Sequence, residues 1–218
     1  MYLTWSGYFE GVSDSEYFGV LLHRVMSAIV AEEGLRPILI PEEFIRFGER
    51  SRSVDDVSLE ACENRDGFHI WYVHADTGGR NLAAGIASRS EAYRIRANEL
   101  CGLPLTRTVI IAPRKETEAW VLADRDAVLS AFGVTARVDL SHLPLTPAES
   151  EGLADPKETI NSFARIVNRK RYRSGVSFLY ASIAQKQRID ILRQLASFQE
   201  FESNLRAALI DLGCIARR

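Results

Sequence analysis

Apolar positions along the chain switch between two periods, and the switches mark out strands and helices. Tyr2–Phe9 is rich in aromatic and β-branched residues and reads as a strand. In Asp14–Glu33 the residues Phe18, Leu21, Leu22, Val25, Met26, Ile29 and Val30 recur at three and four, which predicts a helix with one apolar face. Gly34 follows as its expected stop. Pro37–Ile40 is a short apolar run and reads as the second strand. Glu42–Arg65 is polar and irregular, an insertion holding one helix around Val54–Asn64. Phe68–Val73 (FHIWYV) is apolar on both faces and predicts a central strand. A helix over Ser88–Leu100 ends before Gly102, Thr106–Ala112 reads as a further strand closed by Pro113, and Glu116–Ala123 resumes as helix.

The second half is different. Val134–Asp155 is a long polar connection carrying Pro144 and Pro147. Asp155-Pro156-Lys157 then opens a helix to about Asn168, with an N-cap acid and a first-turn proline. Three helical stretches follow, Leu179–Ala184, Ile189–Leu195 and Phe198–Leu212, the last stopped by Gly213. Strands that alternate with helices predict the α/β class: a mostly parallel sheet flanked by helices, with a helical C-terminal portion. The expected division is an α/β core over 1–133 and a connection plus helices over 134–218, packed on that core. Leu192, Leu195, Phe198, Phe201, Leu205, Leu209 and Leu212 form an apolar stripe expected to face the chain's own core. Gln199, Glu202 and Arg206 are then the outer residues that any partner would meet.

Composition narrows the partners. With 27 Lys and Arg against 29 Asp and Glu, the net charge of −2 excludes a global basic field but leaves room for a local basic patch. Cys62, Cys101 and Cys214 are scattered without CxxC spacing, which fits reduced thiols in a reducing compartment. The first residues lack a basic start and a long apolar stretch, and no apolar run approaches the ~18 residues of a membrane span. A cytoplasmic protein without a membrane partner is expected.

Candidate chemistry collects at the predicted strand ends. Glu10 and Gly11 follow the first strand, with Ser13 or Asp14 as the expected helix cap and Glu16 three residues after Ser13. His74-Ala75-Asp76 ends the central strand, followed by Gly78, Gly79 and Arg80. Glu116 and Glu118 follow the third. Ligands of open α/β sheets bind outside the carboxyl ends of the strands, and packing does not call for acids at three of them.

These stretches resemble the TOPRIM family, the fold shared by topoisomerases, bacterial primases and OLD-type nucleases. Glu10-Gly11 is similar to that family's Glu-Gly after the first strand, and Asp14 stands where OLD-type nucleases carry a second acid. The later Asp-x-Asp is here His74-Ala75-Asp76, so only Asp76 is retained. The resemblance is closer to a branch of small bacterial TOPRIM-related proteins with an EGxSD start, an HxDxxG stretch, a TEAWLL helix and a DPK helix start. Those stand here, in order, as Glu10–Asp14, His74–Gly79, Thr117–Leu122 and Asp155–Lys157. The resemblance implies a Mg²⁺-binding nucleic-acid enzyme of antiphage defence, often encoded beside an ATPase.

Phosphodiester cleavage needs charge neutralised on the phosphate and a water made nucleophilic, and divalent ions held by carboxylates do both. Glu10, Asp14 and Asp76 are the expected Mg²⁺ ligands, with Glu118 as a fourth ligand or as the acid that orients water. Glu118 reads equally as a first-turn acid favoured by the helix dipole. His74 reads as a phosphate contact, an acid–base group or a structural histidine, and a histidine among acids also admits Mn²⁺ or Zn²⁺. Lys157 is either a stabiliser of phosphate charge, as the resemblance implies, or a solvated lysine. Arg80 and the basic run Arg165–Arg173, with Arg169, Lys170 and Arg171, are candidate nucleic-acid contacts or a solvated face. Two functions follow: a metal-dependent nuclease, or a non-catalytic module that binds a partner ATPase or nucleic acid. A homo-oligomer fits either.

Overall fold

The structure, a computed structural model, describes residues 1–74, 86, 89–134, 138–168, 171–172 and 175–217. Its centre is a four-stranded, all-parallel sheet of β1 (Trp5–Phe9), β2 (Ile45–Phe47), β3 (Ile70–His74) and β4 (Thr108–Ile111) in the order β2-β1-β3-β4. The register sets Phe9 opposite His74 and His74 opposite Ile111, so the carboxyl ends of β1, β3 and β4 finish level. After β1 the chain crosses to β2 on one side, and β3 then joins β1 on the other. The crevice between the carboxyl ends of β1 and β3 is therefore the switch point of the sheet, where such folds bind ligands.

Side chains of the strands alternate between two cores, as the pleat requires. Tyr8, Trp71 and Val73 face a smaller core with α2 (Val54–Glu63) and α3 (Ser90–Cys101). Trp5, Phe9, Ile70, Tyr72, Val109 and Ile111 face a larger one. That core holds α1 (Val12–Glu33), the short α4 (Glu118–Val121) and α5 (Arg125–Phe132), beyond which lies α6 (Pro147–Gly152). It also holds α7 (Pro156–Asn168), α8 (Tyr180–Lys186), the single turn α9 (Ile189–Leu192) and α10 (Ala196–Asp211). One continuous apolar cluster thus joins the sheet to the C-terminal helices, and Phe198, Leu205 and Leu209 are fully buried in it, as the stripe predicts.

Three local expectations are corrected. Pro37–Ile40 is not the second strand: Leu39 makes one isolated parallel bridge to Tyr2, and the edge strand lies within the supposed insertion, at Ile45–Phe47. Gly34 does stop α1, in an extended conformation (φ −61°, ψ 132°). Cys62 and Cys101 form a disulfide between α2 and α3, so only Cys214 is a free thiol. Finally, Glu202 and Arg206 are no outer docking residues. Glu202 is buried between Arg193 and Arg206, which also reach Glu32 and Glu33 of α1. Gln199 stays exposed and caps the carbonyl of Arg193 at 2.7 Å. No helix among the described residues is long and apolar enough to cross a membrane.

Candidate active site at the carboxyl edge of the sheet

The chain leaves β1 through Glu10 and Gly11 and enters α1 at Val12. The cap is Gly11, not Ser13: the Asp14 carboxylate, at the third helical position, accepts the Gly11 N–H at 3.0 Å. This is half of a capping box, with the acid on the positive end of the helix. It turns Asp14 inward, and the residue is 9% exposed.

His74 ends β3 and is buried against Phe18, ring centroids 4.8 Å apart. Its Nδ1 lies 3.0 Å from the Ile111 carbonyl, which only accepts, so Nδ1 carries a hydrogen. In the neutral ring Nε2 then accepts from the Thr117 hydroxyl at 3.1 Å. Asp14 Oδ2 stands 4.0 Å from the same Nε2. A proton added to this ring would thus face a carboxylate on one side and a hydroxyl on the other.

The β4–α4 loop supplies the next groups. Lys115 holds a left-handed backbone (φ 71°), which is uncommon for a side chain other than glycine. Its ammonium donates to the carbonyls of Leu153 and Ala154. The Glu116 carboxylate accepts the Lys157 backbone N–H at 3.3 Å. These contacts fasten the loop to the start of α7, where Asp155 caps Glu158 N–H at 2.7 Å. Lys157 itself is exposed, and its charge acts on Glu118.

Glu118 is 7% exposed and accepts a hydrogen bond from Tyr180 Oη at 2.8 Å. Burial pushes its carboxyl above the usual glutamate range, aided by Glu116 and opposed by Tyr180 and Lys157. The Tyr180 phenol is pushed up by burial and then by the carboxylates Glu118, Asp14 and Glu116, so it remains a donor. Asp14, His74, Thr117, Glu118 and Tyr180 therefore form one buried polar patch under the carboxyl edge.

Glu10 stands one residue past the Phe9–His74 register pair. Its Oε1 accepts from Arg89 Nη2 at 2.9 Å, a half-exposed ion pair across the switch point. Arg89, just before α3, and Tyr180, in α8, were not foreseen in the sequence. Neither sits in a local motif, and only tertiary packing brings them to the acids.

Asp76, Arg80, Arg169 and Lys170 lie outside the described residues. Arg171 is exposed over the Tyr172 ring at 5.5 Å. It follows the far end of α7, whose 13 residues span roughly 20 Å, so it does not join Lys157 at the acidic edge. Among the described residues no three His, Cys, Asp or Glu side chains come together as a metal site. Glu10 and Asp14 offer oxygen donors of the right kind for Mg²⁺. They make a site only with a further donor such as Asp76. No family model, curated protein or solved structure matches the chain significantly.

Proposed function

We propose that the chain is a TOPRIM-like, metal-dependent phosphodiesterase acting on nucleic acid, with its centre at the β1–β3 switch point. The observation that carries this reading is the placement of Glu10, Asp14 and His74 at the adjoining carboxyl ends of β1 and β3. A bound divalent ion would neutralise phosphate charge and make water nucleophilic. Glu10, Asp14 and Asp76 are the side chains that would hold it. His74, with its Nδ1 fixed on the Ile111 carbonyl, presents Nε2 toward Asp14 and Thr117 and is positioned to hold a proton there. Burial biases the Glu118 carboxyl toward its neutral form at the same edge. Lys157, exposed at the start of α7, adds positive charge above it.

One observation favours the alternative of a non-catalytic module that binds an ATPase or nucleic acid: Glu10 is already engaged by Arg89 and Asp14 by the Gly11 N–H. A titration of Mg²⁺ and Mn²⁺ with cleavage assays on DNA and RNA separates the two. The enzyme reading expects metal-dependent cleavage by the wild type, lost in Glu10→Ala and Asp76→Ala with the fold intact. Full activity in either variant would show that the site is misplaced, and no cleavage under any condition leaves the module.

A further inference from the structure

Beside Glu10, on the β2 side, the carboxyl ends of β1 and β2 enclose a cavity of about 230 Å³. It is lined by Gly11, Val12 and Ser15 at the start of α1 and by Arg46, Gly48 and Arg52. Ser15 and Arg46 also line an adjoining cavity of about 390 Å³ along α1, so the two make one trough.

Four features fit this trough to an anion. It opens on the N-terminus of a 22-residue helix, where the dipole and unpaired backbone N–H groups favour negative charge. The N–H groups of Val12 and Ser13 make no hydrogen bond among the described residues. Ser15 is 6% exposed and its hydroxyl has no hydrogen-bond partner. A serine inside a helix ordinarily bonds back to the preceding turn or points to solvent, and this one does neither. Arg46 and Arg52 are both exposed and pair with no carboxylate among the described residues. Arg46 rests its guanidinium 5.7 Å from the Phe44 ring centroid, which leaves its N–H edge open. Four acids also line the trough: Glu10, whose charge Arg89 offsets at 2.9 Å, the exposed Glu49, and Glu16 and Glu42 in the adjoining cavity, which Arg24 also lines.

We propose that this trough is a phosphate subsite that seats a backbone phosphate of a nucleic-acid strand beside Glu10. It deepens the proposed function by naming where the strand lies, and it rests on nucleic acid being the ligand. The helix N-terminus and Ser15 would receive the phosphate oxygens, and the two arginines would neutralise it from the solvent side. This places positive charge next to the acids without Arg171, at the far end of α7.

The test is fluorescence anisotropy with labelled single-stranded DNA and RNA oligonucleotides, in EDTA, across a series of salt concentrations. Inorganic phosphate serves as competitor in a parallel arm. Arg46→Ala/Arg52→Ala is expected to weaken oligonucleotide binding at least ~10-fold and to lower the salt slope by about one to two. Ser15→Ala is expected to weaken binding at unchanged slope, since it removes no charge. Competition by inorganic phosphate at millimolar level would mean that the trough takes a free or terminal phosphate rather than a strand, and would overturn the strand proposal. Equal affinity and slope in the wild type and the double variant overturn it too, as does absence of wild-type binding. Because EDTA removes cleavage from the readout, altered binding without metal-dependent cleavage keeps the subsite and rejects the enzyme. Normal cleavage by the double variant does the reverse.

Discussion

The phenol of Tyr180, in α8, donates a 2.8 Å hydrogen bond to Glu118 Oε1, and the carboxyl that receives it is almost shut away from water. Burial is the largest cause of its raised pKa. The folded state therefore holds the Glu118 proton more tightly than the unfolded chain does. Stability from this group is complete below the ordinary glutamate range, about 4.3. It is lost as pH rises from there through the raised folded value. Glu118→Gln keeps an oxygen for Tyr180 and cannot ionise. The variant should gain thermal stability relative to the wild type as pH rises, and thermal melts across about pH 4 to 8 check it. A difference that stays constant over that range would mean the carboxyl does not titrate in a buried setting.

Tyr180→Phe tests the same contact from its other end. It leaves a buried carboxyl oxygen without its donor, which costs about 1–3 kcal/mol and lowers the melting temperature by about 2–4 °C per kcal/mol in a chain of this size. The loss should shrink in a Glu118→Gln background, where the acceptor is never charged. Equal losses in both backgrounds would show that the hydrogen bond does not depend on the charge of its acceptor.

Much of this edge could be read from the sequence. The strands of Glu10, His74 and Glu118 carry strong apolar runs, so their ends, and the chemistry placed there, were visible. The cap was misplaced because Ser13 followed the usual preference, whereas the acid at Asp14 reaches back to Gly11. The edge strand was missed because Ile45–Phe47 is three residues long and carries the exposed Arg46 at its centre. The more apolar Pro37–Ile40 spends its backbone on residues 1–3 instead: Leu3 N–H bonds the Leu39 carbonyl and Leu39 N–H the Met1 carbonyl, both at 2.9 Å. Arg89, Tyr180 and the pairing of Cys62 with Cys101 are long-range facts, and no local pattern encodes them.

The Arg89–Glu10 pair competes with any metal at Glu10. Its members are 37% and 29% exposed, so removing it should change stability by less than about 1 kcal/mol. Under the enzyme reading, Arg89→Ala removes one competitor for the Glu10 carboxylate, and calorimetric titration should show tighter metal binding than in the wild type. Unchanged or weaker binding would take Glu10 out of the ligand set.

The cluster of Arg193, Glu202 and Arg206 with Glu32 and Glu33 fastens α10 to α1. Glu202 is the buried centre, and both arginines are about three-quarters covered. Glu202→Ala leaves two confined guanidinium groups with only Glu32 and Glu33 as acceptors in the cluster. A cost of about 1–2 kcal/mol is expected, below the value for a fully buried pair because water still reaches the arginines. Urea unfolding at low and high salt checks it, and the cost should fall with salt. A salt-independent loss would point to packing rather than charge.

The disulfide of Cys62 and Cys101 spans 39 residues and ties the ends of α2 and α3 together on the smaller core. Closing a loop of that length removes unfolded-state entropy worth about 4 kcal/mol in the chain-entropy account, and measured effects commonly fall at about 2–4 kcal/mol. Urea unfolding of the wild type should therefore shift to lower midpoint on adding a thiol reductant, at nearly constant slope with exposed surface. Cys62→Ser/Cys101→Ser should start near the reduced midpoint and ignore the reductant. The link matters for the site because α3 begins one residue after Arg89, so the bridge helps anchor the helix that presents Arg89 to Glu10. Reduction should accordingly loosen that pair, and the Arg89→Ala effect on metal binding should be smaller in reduced protein. A wild-type midpoint indifferent to reductant would mean that the two sulfurs stand side by side as thiols.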